Sequence, residues 1–178
     1  MRRVIPSPKN SSLAYLPSGD DGVRRTLEFM TAEITRGSHW PPLRPLALAI
    51  VADSPERDFA DMARRVYFWV IAHMTFRNDN FGTETVSAVK YMVEQIERTG
   101  QAYEDCDGYA VLIGALCKVL GFPVKVRAIR FDGVKNYQHV VCVVFIRGRG
   151  WAELDGSMRP GQVTNPPRAA EMDSGIAT

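Results

Sequence analysis

Apolar positions along the chain follow a helical period through its first half, then give way to a strand period after about residue 120. Val23, Leu27, Met30 and Ile34 recur at helical spacing, and Gly37 follows as a stop. "SHWPPLRP" reads as a connector and "LALAIVA" as a short apolar helix. Ser54 then has the chemistry of an N-cap, with Pro55 at the first helical position. Phe59, Met62, Val66, Trp69, Val70 and His73 share one face of the long helix this predicts, and "RNDNFG" breaks it. Val86, Val89, Met92, Val93 and Ile96 mark a further helix that ends near Gly100.

From Asp105 to Leu120 the chain predicts a helix that is apolar nearly all round, closed by Gly121 and Pro123. A helix with no polar face belongs inside a protein. Strands follow: "VKVRAIRF", rich in β-branched residues, then "QHVVCVVFI", then "WAEL", the last two joined by the turn "RGRG". Helices first and an antiparallel meander afterwards predict an α+β domain. Its helical N-terminal half packs on a small antiparallel β-sheet, with the buried 105–120 helix at the centre. Residues 1–20 read as an irregular N-terminal arm, 21–158 as the domain, and 159–178 as a flexible C-terminal tail, both ends being rich in Pro, Ser, Asn and Gly.

Composition narrows the function classes. A length of 178 residues suits one domain with one sizeable core. A net charge of +2 argues neither for nor against nucleic acid, but the basic residues are scattered and not gathered on one face, so no nucleic-acid partner is expected. Three cysteines without CxxC spacing predict neither a disulfide framework nor a zinc site, and favour a reducing compartment. Two N-terminal arginines lack the apolar run of a secretory signal, and no stretch is apolar enough to span a bilayer. A cytoplasmic protein without membrane partner, metal or other cofactor is the expectation.

Candidate chemistry begins at "EDCDGY", where Cys106 opens the apolar helix between Asp105 and Asp107. A helix N-terminus biases a thiol toward thiolate, and its N–H groups suit an oxyanion. The two carboxylates oppose a further negative charge, although both are good residues for a helix start. Cys106 therefore needs a positive partner. His139 opens a strand face otherwise made of core residues, Val141, Val143 and Phe145, while Cys142 points the other way. A tight turn over Arg147–Gly150 sets Asp155 opposite residues 140–142, at the same end of the hairpin as His139. Nucleophile, base and orienting acid in that order follow the logic of a catalytic triad. Elsewhere Cys117 and Cys142 read as buried small hydrophobes, His73 as a satisfied core or rim histidine, and His39 as a loop residue. Trp69 and Trp151 read as packing residues and Glu153 as a solvated edge charge.

"EDCDGYAVLIGALCKVLGFPVKVRAI", "QHVVCVVF" and "GWAELD" together resemble the transglutaminase-like core of the papain-like cysteine enzymes. The resemblance runs over roughly residues 60 to 158, and the preceding helices look like those of small bacteriophage transglutaminase-like proteins. It implies Cys106 as nucleophile, His139 as general base and Asp155 as orienting residue, acting through a thioester. It also implies a protein or peptide substrate, with hydrolysis or transamidation as the outcome. A second oxyanion donor in this superfamily is often a side chain ahead of the cysteine, which here means Gln101 or Tyr103. Glu104 stands where many relatives carry Gly. The alternative is an inactive relative serving as a structural or assembly protein, with a phage virion or assembly partner; a peptide-binding module is a third option.

Overall fold

The computed structural model describes residues 3–4, 14–15, 18–78, 83–157 and 168–177. Five helices are present among these residues: α1 (Asp20–Ser38), α2 (Leu43–Ile50), α3 (Phe59–His73), α4 (Val89–Thr99) and α5 (Cys106–Val119). The strands are β1 (Arg3–Val4), β2 (Ala14–Tyr15), β3 (Met74–Phe76), β4 (Thr83–Glu84), β5 (Ala102–Glu104), β6 (Val124–Phe131), β7 (His139–Ile146), β8 (Gly150–Leu154) and β9 (Arg168–Asp173). The architecture is α+β, with α5 packed against β7 and β6 and surrounded by α1, α2 and α3.

α5 takes its place because every residue from Asp107 to Cys117 is buried. Gly114 lets α1 approach it closely. A Cβ there would sit 2.7 Å from Ile34 Cδ1 and 3.3 Å from Val124 Cγ1. The same close packing fixes α4, whose N-cap Ala88 offers no side-chain acceptor. Glu33 reaches across from α1 instead, and the Val89 N–H donates to its Oε1 at 3.0 Å. Burial raises the pKa of Glu33, against the lowering effects of that hydrogen bond and of Arg36. Glu33→Ala leaves the Val89 N–H without its acceptor and is expected to cost about 1–2 kcal/mol, read as a lower urea midpoint.

The main sheet has the order β8-β7-β6-β9, antiparallel throughout. Its first three strands are the predicted meander; β9 is an addition from the tail. The expectation of a flexible tail is corrected for 168–177, while residues 158–167 lie outside the described residues. "RAAEMD" holds no β-branched residue, so its strand comes from tertiary pairing and cross-strand charge. Ser174 and Ala177 extend the pairing through N–H bonds to the carbonyls of Val126 and Val124. At the other end, β1 and β2 join β4 in a small sheet, which corrects the irregular arm at those positions. Residues 5–13 of the arm lie outside the described residues.

Two further expectations are corrected. The long helix starts at Phe59, capped by Asp58, whose side chain accepts from the Asp61 N–H at 2.9 Å. Ser54 and Pro55 precede it because Arg57 takes φ 61°, which interrupts any helix begun at Pro55. The second correction concerns β7. Val140, Cys142, Val144 and Ile146 form the main core, whereas Val141 and Val143 join Ile129 in a separate small cluster against Phe131. Both faces of β7 are valine-rich, so alternation alone does not say which one the helix covers. On the Val141 side, Glu153 is ion-paired with Arg127 at 2.9 Å and with Arg168 at 2.7 Å. It is not a solvated edge charge: the Arg168 hydrogen bond, aided by Arg127, holds its carboxyl below the usual range despite partial burial.

Candidate active site

The N-terminus of α5 follows directly from the "EDCDGY" chemistry. Asp105 is the N-cap, accepting the Asp107 N–H at 3.0 Å, and Cys106 is the first helical residue. One of the two flanking carboxylates is thus accounted for by capping. The other, Asp107, is buried, and the Cys106 thiol donates to its Oδ1 at 3.7 Å. One ligand atom from each of Asp105, Cys106 and Asp107 lies within 4.8 Å of the others. Ionising the thiol in that company requires a cation close by.

His139 is the first residue of β7, held there by pairing with Ile129. Its Nε2 lies 2.6 Å from Asp155 Oδ2. An ionised carboxylate only accepts, so Nε2 carries the proton and Nδ1 is the ring nitrogen not engaged by Asp155. The Phe131 ring stacks beside the imidazole, with centroids 6.1 Å apart and planes at 21°. Asp155 comes from one residue beyond β8, where Cys142 pairs with Leu154. Burial alone would raise its pKa, but the His139 bond and charge, together with Ser157, bring it below the ordinary value. The same carboxylate acts on Tyr67 of α3, whose phenol is raised first by burial and then by the Asp155 charge.

That lowered pKa sets a pH dependence. Asp155 binds its proton less readily folded than unfolded, so its contribution to stability is fully present above the unfolded value of about 3.9. It fades as pH falls through the lower folded value. Asp155→Asn is therefore expected to be less stable than the wild type at neutral pH, with the gap closing in urea titrations as pH falls below the ordinary carboxylate range.

An open cleft of about 360 Å³ connects these elements. Cys106 and Asp107 of α5 line it together with His139, Tyr137 on the β6–β7 connection, and Val23 and Thr26 of α1. Gln101 and Tyr103 lie outside its lining. The Gln101 side-chain oxygen accepts from the Thr75 hydroxyl, and Tyr103 is an outward, half-exposed residue of β5. Cys117 and Cys142 are fully buried; burial pushes the Cys117 thiol up to about 12 and the Cys142 thiol upward too. His73 Nδ1 bonds the Trp69 carbonyl at 2.8 Å and stacks on the Trp69 ring, while His39 Nδ1 bonds the Thr35 carbonyl. Trp151 is half exposed, edge-on to Phe145 and beneath Lys125. Ser157 escaped the sequence reading, although an Asp followed two residues later by Ser is a recognisable local turn pattern.

A buried helix that opens on a cysteine, packed on an antiparallel sheet with a His–Asp pair at its end, is the arrangement expected of the transglutaminase-like class. The sequence model of the transglutaminase-like superfamily matches residues 46–156, and the chain belongs to that superfamily. Two solved structures share the fold. One, named "putative protease", is from Parabacteroides distasonis, with 15% identity and a TM-score of 0.58 over 83% of this chain and 29% of that one. The other, named "putative cysteine protease", is from Cytophaga hutchinsonii, with 16% identity and a TM-score of 0.52 over 74% of this chain and 42% of that one. The chain thus spans less than half the length of either. No curated protein matches it. Among the described residues, no helix is long and apolar enough to cross a membrane.

Proposed function

We propose that this chain is a cysteine-dependent acyl-transfer enzyme acting on a protein or peptide carbonyl, of protease, amidase or deamidase type. The observation that carries the reading is the 2.6 Å His139–Asp155 bond, made by a histidine that lines the same cleft as Cys106. With Nε2 committed to Asp155, Nδ1 takes the thiol proton as Sγ attacks the carbonyl carbon. The imidazolium so formed is stabilised by the Asp155 carboxylate. First-turn N–H groups of α5 receive the oxyanion, with the helix dipole in support. Collapse of the tetrahedral species expels the amine, which takes its proton from His139, and leaves a thioester on Cys106. Water attacking the thioester completes hydrolysis, and an amine in its place gives transamidation.

The test is a panel of glutamine-containing and cell-wall peptides incubated with the wild type and Cys106→Ala, followed by mass spectrometry. A thioester adduct on Cys106 and product formed by the wild type alone support the reading; product mass distinguishes hydrolysis from transamidation. Turnover by the Ala variant would overturn it. The second reading is a scaffold without turnover, possessing the fold and not the activity. It is favoured by the bond from Cys106 to Asp107, which holds the resting thiol beside a buried carboxylate. Absence of any adduct across the panel supports that reading.

A further inference from the structure

We propose that Ser157 is a positioning residue for this site, fixing the Asp155 carboxylate in the orientation that aims one oxygen at His139. The inference rests on the acyl-transfer reading for its catalytic meaning, and on the local geometry for everything else. Asp155 lies past the last residue of β8, so no ladder bond of that strand holds it. Ser157 supplies the restraint. Its hydroxyl donates to Asp155 Oδ1 at 2.9 Å, and its backbone N–H donates to the same oxygen at 3.2 Å. Oδ2 is left to His139 Nε2 at 2.6 Å. The two carboxylate oxygens therefore have separate duties, one anchored within the turn and one presented to the imidazole.

Gly156 ties this turn to the nucleophile's helix. It is buried, and a Cβ there would stand 2.8 Å from Tyr109 Cδ1 and 3.0 Å from Ile113 Cδ1. Tyr109 and Ile113 lie one and two turns along α5 from Cys106. The turn that orients the histidine is thus clamped on the helix that carries the thiol, and only a residue without a side chain fits the clamp. Ser157 completes it by preventing rotation about the Asp155 side-chain bonds, and its two donors favour the ionised carboxylate. A fixed, ionised carboxylate holds the proton on Nε2 and keeps Nδ1 free to act as a base.

The experiment compares Ser157→Ala and Ser157→Thr with the wild type in the full chain. NMR follows the His139 Nε2–H resonance and its exchange with solvent, and peptide assays give kcat and KM separately. Ser157→Ala is expected to speed Nε2–H exchange and lower kcat by about tenfold or more each, the scale of a hydrogen bond to a charged group, with KM unchanged. Ser157→Thr, which keeps the hydroxyl, is expected to restore both. Should the Ala variant fail to fold, Ser157→Cys provides a near-isosteric chain with a much weaker donor. Wild-type Nε2–H exchange in a folded Ala or Cys variant overturns the proposal, as does a folded Thr variant that behaves like Ala. Because the NMR readout needs no turnover, it separates the two claims. Faster exchange in a chain that never forms a thioester supports the positioning and sinks the enzyme reading; unchanged exchange in an active enzyme does the reverse.

Discussion

Replacing His139 with alanine is expected to lower kcat/KM by about 10²–10⁴, the usual scale for a positioned general base. Cys106→Ala should abolish turnover altogether. In the proposed mechanism the two differ in kind: Cys106 forms the bond to the acyl group, whereas His139 only makes that bond formation fast. Removing the imidazole also takes the Nε2 donor from Asp155, which keeps its two bonds from Ser157. The folded state should therefore survive, and thermal melting beside the peptide assay checks this. A His139→Ala protein that melts like the wild type and retains full kcat/KM would remove histidine from the mechanism.

Leu112→Ala is the largest expected effect on stability. Leu112 lies in the middle of α5, completely buried, in the main core. Truncating it removes transfer free energy and leaves a cavity that close-packed neighbours fill only in part, at a cost of about 2–5 kcal/mol. Native domains hold roughly 5–15 kcal/mol in all, so this one change consumes a large share. Urea unfolding should show a much lower midpoint with an unchanged slope. The consequence reaches the site, because Cys106 is placed only as well as the helix behind it. A midpoint within error of the wild type would mean that the core around α5 is far looser than the buried positions imply.

The sequence made α5 legible because a helix apolar on all sides has only one environment open to it. Strands β6 and β7 were legible through their β-branched runs and β8 through the "RGRG" turn before it, and the antiparallel register brought Asp155 to the His139 end. What stayed hidden depends on tertiary partners. β9 lacks strand-forming residues and exists through pairing with β6 and the charges of Arg127, Lys125 and Glu153. β3 and β5 pair in parallel over very short segments that carry no pattern of their own. Alternation in "HVVCVVFI" separated two faces but did not assign them, since helix α5 covers one and Phe131 with the charged pairs lies on the other. At the site, Cys106, His139 and Asp155 stood out by residue type and order. Ser157 did not, because its role is visible only once the Asp155 carboxylate has a direction.

The most direct test of the central claim, that His139 activates Cys106, is the rate of Cys106 alkylation by iodoacetamide as a function of pH, in the wild type and in His139→Ala. Cys117 and Cys142 are fully buried and should not compete in the folded chain. The proposed mechanism predicts rapid alkylation well below the free-thiol pKa of about 8.5, and loss of that advantage without the histidine. Slow alkylation at neutral pH, identical in both proteins, would contradict it and leave Cys106 as the first residue of a well-capped helix.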